Sequence, residues 1–230
     1  MKVIGLIGGM SWESTVKYYQ IINEEVKRRL GGLHSVKCLL YSVDFAEIAR
    51  YQAEGDWEGA GKLLGEVALS LEKGGADFIV ICTNTMHNVI EYIEEKISIP
   101  ILHIADATAD QINQAGISAV GLLGTKYTME QDFYKSRIES AGIHVLVPGI
   151  EDRETVNKII YDELCLGKIE QSSRDYYKRV IGRLVERGAE GIILGCTEIG
   201  LLITQEDSEV PLFDTTVIHA IESVNQALDE

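Results

Sequence analysis

The 230-residue sequence lacks the features that define several protein classes. It has no apolar run near the roughly 18–20 residues needed to span a bilayer, which argues against a membrane protein. It is also poor in basic residues, because 21 lysines and arginines stand against 36 acidic residues, for a net charge of −15. Nucleic-acid-binding surfaces need clustered positive charge. The charge balance therefore argues against a nucleic-acid partner.

Signals for a disulfide framework, a metal or a nucleotide are also missing. No CxxC pair occurs, and no histidine lies at metal-ligand spacing from a cysteine. The glycine-rich stretch GLIGGM at residues 5–10 does not match GxGxxG, and no isolated lysine stands out as a Schiff-base former. We therefore expect no cofactor and no metal. The four cysteines are Cys38, Cys82, Cys165 and Cys196.

The amino-terminal residues MKVIGLIGGMSWES do not have the pattern of a signal peptide. One lysine and a short apolar run precede a polar, helix-like segment, whereas a signal peptide needs a longer apolar region and a small-residue cleavage site. The segment predicts a first strand and its loop. We therefore expect a cytoplasmic protein.

The sequence does contain a regular alternation of short apolar runs and longer amphipathic stretches. Near-continuous apolar strands that alternate with helices are typical of a parallel sheet with helices on both faces. One amphipathic stretch, WESTVKYYQIINEEVKRRL, begins at residue 12, and TMEQ at 128–131 has the pattern of a capping box that opens a helix. The predicted strands are VIGLIG, KCLLYSV, DFIVIC, IPILHI, AVGLLG, HVLV, GIILG and VPLF.

The chain also repeats itself once. The block around Gly5 resembles the block around Gly121, 116 positions later, and GGADFIVICTNT resembles RGAEGIILGCTE, 113 positions later. A third pair, SIPILHIADAT and EVPLFDTTVIH, follows in the same order. We therefore predict an α/β fold of two pseudo-symmetric parallel-sheet domains with helices on both faces and the active site in the cleft between them. The predicted domains are residues 1–98 plus 210–230, and residues 99–209.

The repeat pairs Thr83 with Cys196. With an offset of 113, Cys82 aligns with Gly195, whereas Thr83 aligns with Cys196. Ligands of open α/β sheets bind at the carboxyl ends of strands. We therefore predict that Thr83 and Cys196 are the catalytic residues and that Cys82 points into the core. Two proton-active groups on opposite faces of one carbon suit a stereo-inverting proton transfer.

A polar pair follows each predicted catalytic residue at a predicted helix start. Helix N-termini present backbone N–H groups and a positive dipole end, which suit a carboxylate, so both pairs are predicted substrate contacts. The same field is expected to lower the pKa of the Cys196 thiol toward neutrality. The two pairs are Asn84–Thr85 and Thr197–Glu198.

These motifs resemble the aspartate/glutamate racemase family, and most of all its bacterial broad-specificity amino acid racemases. The resemblance covers the whole chain and rests on GGM at 8–10, TNT at 83–85 with His87, and GCTE at 195–198. It implies an isomerase that racemises a small-molecule amino acid without pyridoxal phosphate or another cofactor, and it implies a homodimer. It also implies further substrate contacts at Met10, Gln52 and Cys165.

Thr83 departs from the family pattern, which has cysteine at this position. A hydroxyl is far less acidic than a thiol, whose reference pKa is about 8.5, so Thr83 is expected to relay a proton directly or through water, with Cys196 as the thiolate base. Where aspartate-specific relatives carry arginine, this chain has Gln52 or its neighbour Tyr51, with Arg50 close by, which weakens the case for strict recognition of a side-chain carboxylate. His87 is expected to be structural, on a helix surface or hydrogen-bonded in the core.

Two alternatives remain open from the sequence. Decarboxylases of the same superfold protonate an enediolate with one cysteine, and Cys196 with a non-cysteine partner is compatible with that chemistry. A non-catalytic amino-acid-binding homologue that has lost one catalytic group is the other alternative. Release of CO2 from substituted malonates identifies the former, and binding without α-proton exchange identifies the latter.

Overall fold

The computed structural model describes residues 1–229, which form two compact units. Among the described residues, the first unit comprises residues 1–103 and 219–229, and the second runs from Ile104 to Ile218. Each unit contains one sheet of four parallel strands. Within residues 1–229, no helix combines the length and the apolar character that a membrane span requires.

The first sheet has two fully buried strands at its centre. The elements of this unit are β1 (Ile4–Gly8), α1 (Trp12–Leu30), β2 (Cys38–Ser42), α2 (Phe45–Glu54), α3 (Trp57–Lys73), β3 (Phe78–Ile81), a 3-10 helix (Thr85–Val89), α4 (Ile90–Glu94) and β4 (Ile101–Leu102). The strand order is β2-β1-β3-β4. Both central strands are buried along their whole length, which explains their near-continuous apolar sequence.

Alternate residues of β3 belong to two separate cores of the first unit. Ile79 and Ile81 pack in one cluster with the apolar residues of α3. Phe78, Val80 and Cys82 pack in another cluster with α1 and with the helix that ends the chain. Because successive side chains of a strand point to opposite faces, helices cover both faces of this sheet, and the predicted arrangement is confirmed.

The second unit has the same topology, with strand order β6-β5-β7-β8. Its core is a single cluster of buried apolar residues that spans the sheet and its helices. The elements are α5 (Ile104–Gln114), β5 (Ala119–Gly124), α6 (Lys126–Glu130), α7 (Asp132–Ser140), β6 (His144–Leu146), α8 (Ile150–Asp162), a 3-10 helix (Leu164–Leu166), α9 (Gln171–Glu186), β7 (Gly191–Gly195), α10 (Ile199–Leu202), a 3-10 helix (Gln205–Asp207), β8 (Leu212–Asp214) and α11 (Thr215–Leu228), which continues into the first unit.

The strand registers repeat with the offsets found in the sequence. Gly5 of β1 pairs with Ile79 of β3, and Gly121 of β5 pairs with Ile192 of β7. The two glycines are 116 positions apart and the two isoleucines 113. The latter offset is the one that aligns the two predicted catalytic residues. The predicted pseudo-symmetry is therefore present in the hydrogen-bonded backbone of each sheet.

The compact units have different bounds from the predicted domains, and strand pairing explains both differences. β4 pairs with β3, so the first unit runs to His103 rather than to residue 98. β8 pairs with β7, so the second unit runs to Ile218 rather than to residue 209. An apolar run predicts a strand, but its sequence does not say which sheet the strand joins.

The capping box predicted at residues 128–131 is wrong. Thr125 is the N-cap of α6, and its side chain accepts a hydrogen bond from the backbone N–H of Thr128 at 3.3 Å. Thr128 therefore lies inside the helix rather than before it. Thr125 provides the acceptor that the first turn needs, three residues earlier than expected.

Gly124, the last residue of β5, is expected to tolerate no side chain. A Cβ atom there would lie 2.8 Å from the carbonyl oxygen of Gly195, which is backbone and cannot rotate away. Gly124→Ala should lower the free energy of unfolding by about 1–3 kcal/mol. Gly182→Ala is the matched control, because Gly182 lies in α9 with open space at its Cβ. It should raise stability by about 0.5–1 kcal/mol. Urea unfolding measures both changes, and equal stabilities would contradict the close approach of β5 and β7.

Candidate active site

Thr83 lies in the loop that follows β3. Its backbone N–H donates to the carbonyl oxygen of Ile81 at 2.8 Å, a tight turn directly after the strand, and the residue is 9% exposed. The preceding Cys82 is fully buried in the core with α1, and burial raises the pKa of its thiol. The prediction that Cys82 points into the core is confirmed, and a thiol in apolar surroundings is chemically inert.

The structure gathers the predicted substrate contacts of the first unit around this loop. Gln52 of α2 donates from Nε2 to Sδ of Met86 at 3.1 Å, and Met10 packs in the same apolar cluster as Met86. Asn84 and Thr85 follow Thr83 directly, and all four predicted contacts are buried. Their proximity to the first motif is thus a property of the fold, whereas their contact with a substrate stays a prediction.

His87 lies four residues beyond Thr83 and is also buried. Its Nδ1 donates to the carbonyl oxygen of Thr83 at 2.9 Å. The protonated nitrogen is assigned from this bond, because a carbonyl oxygen only accepts. The ring lies 4.5 Å from His103 and 5.9 Å from His219, centroid to centroid. His87 is therefore a hydrogen-bonded core histidine, one of the two environments that we expected.

Cys196 directly follows β7 and is 8% exposed. Its thiol donates to Oε2 of Glu198 at 3.0 Å, and the hydroxyl of Thr197 donates to the same oxygen at 2.9 Å. Glu198 is itself buried. One carboxylate oxygen therefore accepts from both protic side chains that precede it, and it offers a direct acceptor for the thiol proton.

The expectation that the thiol of Cys196 has a lowered pKa is wrong. Burial raises its pKa well above the usual value, and the carboxylate of Glu198 raises it further because a nearby negative charge opposes thiolate formation. The helix that follows, α10, contains only four residues. A single turn has few aligned peptide dipoles, so it cannot offset both effects.

Cys196 belongs to the apolar core cluster of the second unit, and several protic side chains lie near it. Tyr177 is buried and Tyr161 is partly buried, which raises the pKa of each hydroxyl, and Coulomb interactions with Cys196 and Glu198 raise both further. Cys165, in the 3-10 helix before α9, adds to the raised pKa of the Cys196 thiol. Cys165 is half-buried and packs against the core of the second unit. The predicted contacts at 165, 197 and 198 are thus gathered around Cys196.

Metal-ligating side chains do not converge among residues 1–229. Within the part of the chain that the structure describes, no three His, Cys, Asp or Glu side chains are placed to hold a metal ion. The three buried histidines instead pack ring to ring. All four cysteines are free thiols.

Known proteins share this sequence pattern and this architecture. The sequence model of the family described as Asp/Glu/Hydantoin racemase matches residues 7–222, from within β1 into α11. The broad specificity amino-acid racemase RacX of Bacillus subtilis (strain 168) is 25% identical in an alignment of 233 positions that covers 98% of each chain.

Two solved structures match over 100% of both chains. A Yersinia pestis protein assigned to the Asp/Glu racemases is 59% identical with a TM-score of 0.93. PH1733, an aspartate racemase homologue from Pyrococcus horikoshii OT3, is 37% identical with a TM-score of 0.84. The sheets, the two strand-end motifs and these matches agree with one another, and the chain belongs to the Asp/Glu/hydantoin racemase family.

Proposed function

We propose that this protein is a cofactor-independent amino acid racemase that inverts the α-carbon of one bound substrate by proton transfer between Thr83 and Cys196. The observation that carries the proposal is the repeated strand register, which gives both residues the same position after equivalent strands. Membership of a racemase family supports the reaction class. The named relatives include a broad-specificity amino-acid racemase.

Cys196 acts as the base for one enantiomer. Because its thiol has a raised pKa, the thiolate is strongly basic once formed, but the thiol proton first needs an acceptor. Glu198, with Oε2 3.0 Å from Sγ, takes that proton. The thiolate then removes the α-proton, and the substrate becomes a carbanion stabilised by its own carboxylate.

Thr83 delivers a proton to the opposite face of the carbanion. A carbanion at an amino acid α-carbon is basic enough to take a proton from a hydroxyl, either directly or through one water. The resulting Thr83 alkoxide then takes a proton from solvent, and Glu198 releases to solvent the proton that it took from the thiol. The reverse reaction needs a base on the Thr83 side, where the hydroxyl is weak. Since the two enantiomers have equal free energy, kcat/KM must match in the two directions. The weak base therefore limits the rate of inversion and not the position of equilibrium.

The recognition groups favour a broad range of amino acids over strict aspartate specificity. Gln52 is a neutral amide buried against Met86, and an amide does not replace the bidentate grip of arginine on a carboxylate. The other proposed contacts supply hydroxyl, amide, thioether, thiol and carboxylate groups. They are Met10, Asn84, Thr85, Cys165, Thr197 and Glu198.

We also propose a homodimer in the cytoplasm. Trp12, Val16 and Tyr19 of α1 are between 51% and 64% exposed, and their spacing places them on one face of the helix. Large apolar side chains exposed together are typical of an interface. Sedimentation velocity measures the oligomeric state.

The proposed location in the cytoplasm agrees with the free cysteines, because a reducing compartment would keep reduced the Cys196 thiol that the reaction needs.

The test of the proposed reaction is exchange of the α-proton in D2O, followed by NMR with a panel of L- and D-amino acids. Deuterium should enter at the α-carbon and the opposite enantiomer should form, with the same rate after dialysis against EDTA. Binding without exchange would instead support the non-catalytic alternative. Release of CO2 from substituted malonates would support the decarboxylase.

Glu198→Gln decides between two effects of this carboxylate. If Glu198 only raises the pKa of the Cys196 thiol, the neutral amide should lower that pKa and increase exchange at neutral pH. If Glu198 accepts the thiol proton, exchange should fall by about 10²–10⁴-fold, as expected for a lost general base. We expect the loss. Initial exchange rates between pH 6 and 10 measure it, and a variant faster than the wild type would contradict the assigned role.

A further inference from the structure

Three buried histidines form a cluster in the first unit, next to the loop that contains Thr83. The proposed reaction does not use this cluster. His87, His103 and His219, here called the histidine cluster, are each at most 5% exposed. His219 donates from Nε2 to the carbonyl oxygen of Leu102 at 2.9 Å, and its Nδ1 accepts from the hydroxyl of Tyr18 at 2.9 Å. Burial lowers the pKa of His219 to about 4, so this ring is neutral near pH 7.

The cluster is anchored on several elements of the first unit. His103 directly follows β4 and is the last residue of this unit before the chain passes into the other, and His219 is the first residue after it returns. Tyr18 belongs to α1, and its ring meets His219 edge to face. His87 therefore packs against a base formed by β4, α1 and α11, which are distant from one another in the sequence.

From this base His87 reaches the backbone of Thr83. The Nδ1–H bond to the Thr83 carbonyl oxygen fixes the peptide plane after the Thr83 Cα. The Thr83 N–H bond to Ile81 fixes the peptide plane before it. Because each peptide unit is rigid and planar, holding both planes sets the direction of the Cα–Cβ bond. The backbone dihedrals also decide which χ1 rotamers are allowed, so they restrict where the hydroxyl can lie.

We propose that His87 is a positioning residue that aims the Thr83 hydroxyl at the substrate, through its hydrogen bond to the Thr83 carbonyl oxygen and its packing in the histidine cluster. This inference rests on the proposed function, because the orientation of the Thr83 hydroxyl affects the reaction only if Thr83 delivers a proton. It assigns His87 no proton transfer of its own.

Two variants separate the hydrogen bond from the ring. His87→Phe keeps an aromatic ring of similar size in the cluster and removes the donor. His87→Asn removes the ring, but its amide nitrogen occupies nearly the position of Nδ1 and can still donate to Thr83. His34→Ala, at an exposed histidine of the same unit, is the control for loss of a histidine.

Exchange and inversion respond differently if His87 acts through Thr83. The enantiomer that faces Cys196 exchanges its α-proton through Cys196 alone, whereas inversion also needs Thr83. His87→Phe should lower inversion by about 10–100-fold, the scale of a misplaced catalytic group, and leave exchange without inversion within about 2-fold. His87→Asn should recover most of the inversion rate. Equal losses of exchange and inversion, or full inversion in His87→Phe, would overturn the proposal.

A second measurement needs no catalysis. Couplings from the Thr83 methyl carbon to the backbone nitrogen and carbonyl carbon report the side-chain rotamer by NMR. His87→Phe should change these couplings, and His87→Asn and His34→Ala should preserve them; unchanged couplings in His87→Phe would overturn the proposal. If the wild type exchanges no amino acid, the proposed function fails, while these couplings still decide whether His87 sets the rotamer of Thr83. If His87→Phe does not fold, His87→Asn decides alone, with altered couplings overturning the proposal.

Discussion

Cys196→Ala is expected to abolish α-proton exchange with both enantiomers, a loss of about 10³-fold or more on the scale of a lost general base. Cys196 is the thiol that directly follows a central strand with a carboxylate against its Sγ. Without it, one face of the substrate has no base and the other has only the Thr83 hydroxyl, which is weak at neutral pH. Initial deuterium incorporation into each enantiomer, followed by NMR, measures the loss.

The control for this prediction is another buried cysteine. Cys82→Ala removes a thiol that is fully buried in the core of the first unit, so it should lower thermal stability and leave the exchange rate nearly unchanged. The alignment of Thr83 with Cys196 would be off by one residue if Cys82→Ala removed activity while Cys196→Ala kept it.

Thr83→Cys is expected to raise racemisation from several-fold to a few hundred-fold, within the range that a matched general base contributes. A thiol has a reference pKa of about 8.5, far below that of a hydroxyl, so it provides a usable base on the limiting side. By the 113-residue offset, Glu198 corresponds to Thr85. The new thiol therefore gains neither the opposing charge nor the proton acceptor that Cys196 has.

The double variant Thr83→Cys with Thr85→Glu tests that difference. It places a carboxylate two residues after the new thiol, as in the second unit. Its racemisation rate should exceed that of the single variant if the carboxylate acts more as an acceptor for the thiol proton than as a negative charge that opposes thiolate formation. Thr83→Ser keeps the hydroxyl and is the control. Initial rates from each pure enantiomer measure all three variants, and a Thr83→Cys rate equal to that of Thr83→Ser would contradict a limiting base at this position.

The strands and the repeat were predictable because they depend on local pattern. A buried parallel strand must be apolar along its length, and β1, β3, β5 and β7 all are. A duplicated register leaves similar offsets between matched blocks, and the offset of 113 aligns Thr83 with Cys196. The bounds of the two units were less predictable, because the sheet that β4 or β8 joins is decided by pairing across the chain.

The electrostatics of the thiol were not predictable from the motif alone. A polar pair after a strand indicates a helix start, but α10 contains only four residues, so the dipole that was expected to lower the pKa of Cys196 is small. Glu198 is two residues away in the sequence, yet only its side-chain rotamer decides whether its carboxylate meets the thiol. The histidine cluster joins positions 87, 103 and 219, which no local pattern connects.

The division of the chain between the units has a consequence for the order in which they form during synthesis. The second unit is one continuous stretch, Ile104–Ile218, whereas the first needs α11 from the end of the chain. Ala220, Val224 and Ala227 of that helix fill a core with Ile4 and Leu6 of the first strand. Although domains generally fold first where the chain is made first, the earlier half of this chain lacks one of the two helices, α1 and α11, that cover this face of its sheet until α11 has been made. All the residues of the second unit are therefore synthesised before those of the first unit are complete.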